Sequence, residues 1–102
     1  MDANDRLIVE SPLFQGEDER IAYRLNTTPW GTSPASPTVV LYNTAGTDVS
    51  ATYLSGAASV SGVLITTPQV ISLVDGQQYR LEIKWTDSGN TFESWVDIYA
   101  QE

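Results

Sequence analysis

Alternation of apolar and polar residues is clearest over residues 79–86, where Tyr79, Leu81, Ile83 and Trp85 are separated by Arg80, Glu82 and Lys84. A period of two puts the two sets on opposite faces of a β-strand, one turned to a core and one to solvent. Asp87-Ser88-Gly89-Asn90 is a reversal, and residues 91–100 alternate again. There Phe92, Ser94, Val96, Ile98 and Ala100 share the apolar face, and Glu93, Trp95, Asp97 and Tyr99 share the other. The pattern predicts a hairpin of two long strands that anchors the core.

Shorter runs fill the rest of the chain. Strands are expected over residues 6–10 and 20–25, with Ile21, Tyr23 and Leu25 on one face of the second. Residues 38–42 read as a strand that turns at residues 43–48 into a return strand over 49–54. Weaker strands are expected at 58–60 and 63–67, the latter closed by Pro68. Residues 27–37 hold three prolines and a glycine and read as an irregular crossing loop with Trp30 at its middle. Five prolines break most windows that could start a helix, so no long helix is expected. The whole is an all-β reading, a single sandwich domain over residues 1–102 with about seven or eight antiparallel strands. Residues 1–15, with Leu7, Ile8, Val9, Leu13 and Phe14, form either an ordinary first strand or an arm exchanged with a neighbouring subunit.

Composition narrows the chemistry. The chain has neither cysteine nor histidine. That removes thiolate and disulfide chemistry, the usual general base and the commonest metal ligands. Glu82, Glu93 and Asp97 are the residues from which a glycosidase-type acid pair would be drawn. They read instead as solvated charges balanced by Arg80 and Lys84 across the hairpin. Oxygen-rich residues 17–19 and 87–90 match no calcium loop and read as turns. The expectation is a chain that is not an enzyme and carries no cofactor or metal.

Thirteen acidic against five basic residues give a formal net charge of −8. Such a field disfavours nucleic acid and anionic membranes as partners, while it suits solubility or docking against a basic surface. No apolar stretch approaches the roughly 20 residues of a membrane span. The start, Met1-Asp2-Ala3-Asn4-Asp5, lacks the basic and apolar stretches of a signal peptide, and no export address is expected.

Leu73, Gly76 and Tyr79, followed by the alternating run, resemble the tyrosine corner of immunoglobulin and fibronectin III domains, in which the tyrosine hydroxyl bonds back to the preceding corner. That resemblance gives Tyr79 a structural role. Over residues 16–98 the order Gly16-Glu17-Asp18, Thr38-Val39-Val40-Leu41-Tyr42, Gly46-Thr47-Asp48-Val49-Ser50 and Leu73, Gly76, Tyr79-Arg80-Leu81 is similar to small immunoglobulin-like proteins of tailed bacteriophages and prophages. These include baseplate upper protein N-terminal domains and short head and neck cluster proteins. The resemblance implies a virion structural part in the head, neck, tail or baseplate. Such a part would be made in the bacterial host cytoplasm and contact other virion proteins or copies of itself. Trp30, Trp95, Tyr99, Leu13 and Phe14 are the candidate protein contacts. A second reading is a carbohydrate-binding or adhesin-like module with Trp95 and Tyr99 as the platform for a glycan.

Overall fold

The computed structural model describes residues 13–101 and the backbone of residues 5–7. The described chain is all-β, with two sheets packed face to face and one helical turn. Strands β1 (Asp5–Leu7), β3 (Ile21–Asn26), β7 (Leu64–Val70), β5 (Leu54–Ser55) and β6 (Ser59–Ser61) build the first sheet, with both β5 and β6 on β7. The second runs β2 (Leu13–Gly16), β9 (Asn90–Gln101), β8 (Gln78–Asp87), β4 (Ala35–Asn43). Two pairings are parallel, β1 on β3 and β2 on β9, so the sheets are not wholly antiparallel as expected. The expected strand over residues 6–10 meets β1 at residues 6 and 7, and its remainder lies outside the described residues.

The β8–β9 hairpin is in register from Gln78↔Tyr99 to Asp87↔Asn90. Ser88 and Gly89, at φ 52° and 83°, supply the two left-handed residues of a type I′ reversal. Tyr79, Leu81, Ile83 and Trp85 are buried, as are Val96, Ile98 and Ala100. Tyr79, Leu81, Val96, Ile98 and Ala100 meet Ile21, Tyr23 and Val70 of the other sheet around Leu41 and Leu73, while Leu25, Ile65, Ile83 and Trp85 form a second cluster toward the other end. Each fully buried aliphatic side chain contributes about 1.5–3 kcal/mol.

Three strand expectations are corrected. Residues 49–54 do not return beside β4, where only Tyr42↔Asp48 bridges. Ser50–Tyr53 forms the helical turn α1 instead. The Ser50 hydroxyl accepts the Leu41 N–H at 2.9 Å, and the chain then crosses to the other sheet as β5. Strand β4 starts at Ala35, inside the expected loop, through an irregularity between Ala35 and Thr38 that accommodates Pro37. Strand β7 continues past Pro68 to Val70. The register slips opposite it between Ala22 and Arg24, and the Tyr23 N–H donates to Thr67 Oγ1 at 2.9 Å rather than to a ladder carbonyl. A bulge is where a strand tolerates a proline.

Candidate functional site: the outer face of the four-stranded sheet

Strand alternation fixes which side chains the second sheet turns outward. On β9 these are Glu93, Trp95, Asp97 and Tyr99, and the register sets them beside Lys84, Glu82, Arg80 and Gln78 of β8. Strand β4 contributes Thr38, Val40 and Tyr42 opposite Lys84, Glu82 and Arg80. Strand β2 sets Phe14 opposite Tyr99. Phe14 and Trp95 are each 55% exposed and Tyr99 38%, large fractions for aromatic side chains.

These groups hold one another. The Phe14 and Tyr99 rings stack with centroids 5.7 Å apart. The Arg80 guanidinium lies 5.4 Å from the Trp95 ring centroid, and its Nε donates to Asp97 Oδ1 at 3.2 Å. Lys84 Nζ lies 3.5 Å from Glu82 and 3.9 Å from Glu93. The three acids from which a catalytic pair would be drawn are therefore each in an ion pair. Such solvated pairs contribute little to stability, about 0–1 kcal/mol, but they fix charge positions around the aromatics.

Leu13 and Phe14, paired as candidates, divide. Leu13 packs against the core, while Phe14 points out. Trp30 lies at the far end of the sandwich, 40% exposed, its ring edge-on to buried Trp85 at 5.4 Å. It thus caps the core and still offers surface. Its loop is tied down by Asp87, a buried carboxylate whose Oδ2 accepts the Ser33 N–H at 3.0 Å. Gly31 lies so close to that carboxylate that a Cβ there would overlap it. The site residues therefore fall into two groups, the row Phe14, Tyr99 and Trp95 on one face and Trp30 at one end.

The corner residues sit together. Tyr79 is buried and its hydroxyl accepts the Val74 N–H at 3.2 Å, beside the Gly76 turn. Leu73 joins the core below it. Burial pushes the Tyr79 phenol above its ordinary 10.0, against the Val74 hydrogen bond, which acts the other way.

Sequence reasoning missed Gln15. Its amide is fully buried between the sheets, donating to Val70 O at 2.8 Å and Glu19 O at 3.0 Å and accepting from the Tyr23 hydroxyl at 2.7 Å. An amide in a short strand reads as a surface residue, and no neighbouring residue signals otherwise. Among the described residues no group of three acids is placed to hold a metal ion. Comparison of the chain with protein families, curated proteins and solved structures finds no match.

Proposed function

We propose that the chain is a non-catalytic structural component of a bacteriophage particle that works through protein–protein contacts made by the outer face of its four-stranded sheet. The observation that carries the contact role is the exposed row of Phe14, Tyr99 and Trp95. Large aromatics ringed by fixed charges are the composition of an interface centre with a polar rim. The particle assignment rests on the order and spacing of segments that resemble phage immunoglobulin-like proteins. It carries with it residence in the virion and synthesis in the bacterial host. Trp30 offers a second contact at the end of the sandwich.

Light scattering of the purified chain over a concentration series tests self-association, with Trp95→Ala and a truncation before Leu13 alongside. An oligomer lost in Trp95→Ala supports the sheet face as the contact, and one lost only on truncation moves it to an exchanged arm. A monomer throughout excludes contact between copies and points to a partner other than the chain itself.

A further inference from the structure

Beside the aromatic row, a groove of about 520 Å3 crosses the outer face, lined chiefly by Tyr42, Asn43, Thr44, Gln78, Arg80 and Asp97. That volume lies within the range of small-ligand sites. Its floor is β8, whose main chain is committed on both sides to β4 and β9. A ligand is therefore met by side chains and not by free backbone, which disfavours an added peptide strand.

The lining mixes polar and apolar surface, and its charged residues are Arg80, Glu82 and Asp97. Arg80 is paired with Asp97, and Glu82, at the groove's edge, lies against Lys84. With a net charge of −8 on the whole chain, an anionic ligand has no electrostatic attraction here. The side chains of Tyr42, Thr44 and Gln78 make no hydrogen bond among the described residues, so hydroxyl and amide groups of both donor and acceptor type face solvent. Tyr42 on β4, opposite Arg80, gives the groove an aromatic wall, while the Trp95 ring beyond it is covered by Arg80 and the Tyr99 ring is stacked on Phe14. The Arg80–Trp95 contact holds part of this arrangement in place before any ligand arrives.

A ligand matching these groups has apolar C–H faces, many hydroxyls on its edges and no net charge. From this geometry we infer a binding site for a neutral oligosaccharide, a ring against Tyr42 and its hydroxyls on Thr44, Gln78, Arg80 and Asp97. The site is separate in its chemistry from the protein contact proposed above, since Gln78 and Tyr42 carry the sugar and the Phe14–Tyr99–Trp95 row carries the protein.

The test is a titration of the 15N-labelled chain with cello-, malto- and chito-oligosaccharides, and with polygalacturonate as an acidic control, followed by amide and indole chemical shifts. At least one neutral series is expected to give saturable shifts at Asn43, Gln78, Arg80 and the Trp95 indole, with a dissociation constant of about 1 mM. Gln78→Ala should weaken it by about fivefold, the loss of one hydrogen bond, with the spectrum still dispersed and the solution mass unchanged. If no neutral sugar shifts those signals at about 10 mM, if the shifts map elsewhere, or if only the acidic polymer binds, the inference is overturned.

Discussion

Tyr79 ties a loop to a strand with one hydroxyl, and its burial gives that bond a pH signature. Since the folded chain holds the phenolic proton more tightly than the unfolded chain, the associated stability is complete below pH 10.0 and is lost as pH rises through the folded value. Tyr79→Phe is expected to lower stability at neutral pH by about 1 kcal/mol and to flatten the loss above pH 10.0, as read from urea midpoints. Asp48 has the opposite sign. Hydrogen bonds from the Ser50 hydroxyl and N–H hold its carboxyl below the ordinary 3.8, so its contribution is present above that pH and lost as pH falls through the folded value. Gln15→Leu keeps the volume but removes the amide's three hydrogen bonds, two of them buried, and losing a buried hydrogen bond with one partner left in place costs about 1–3 kcal/mol. A fall of at least about 2 kcal/mol in unfolding free energy is expected. Tyr79 was legible in the sequence through the resemblance of Leu73, Gly76 and Tyr79 to a tyrosine corner. Gln15 was not, because its partners come from three other segments and nothing local marks them.

Among the elements, the long hairpin was read correctly because both of its strands alternate strictly and a type I′ turn joins them. The segment after β4 was misread for a physical reason. Residues 49–54 carry strand-forming residues, but the chain must change sheets there, and a serine capping the Leu41 N–H starts a helical turn instead. Pro68 misled in the same way, since a proline ends a strand only where no bulge receives it, and the bulge is set by Ala22 and Arg24 on a different strand. The Trp30 loop is tied to the long hairpin by a buried carboxylate. Asp87→Ala removes the acceptor for the Ser33 N–H and should release Trp30 from Trp85, seen as a red shift of tryptophan emission and lost near-ultraviolet dichroism. Gly31→Ala should act likewise, because its Cβ and the Asp87 carboxylate cannot occupy the same space.

For the molecule as a whole, the sequence conveyed the fold class through its alternating runs, and it placed Trp95 and Tyr99 on the outward face of their strand. It could not place Phe14 against Tyr99, because that contact depends on β2 lying parallel to β9, and no local pattern encodes a parallel pairing across the length of the chain. Nor could it separate Leu13 from Phe14, which differ only in the face they present. The resulting molecule has one sheet whose inner side is core and whose outer side carries aromatics within a frame of paired charges. The central claim is that this outer face meets a protein. A photoreactive phenylalanine analogue at position 99, with the same probe at exposed Val60 on the other sheet, tests it in cells producing the assembled particle. The account predicts a discrete protein adduct, either with a second copy or with another virion protein, from position 99 and none from position 60. Equal labelling from both positions, or none from position 99, would contradict it.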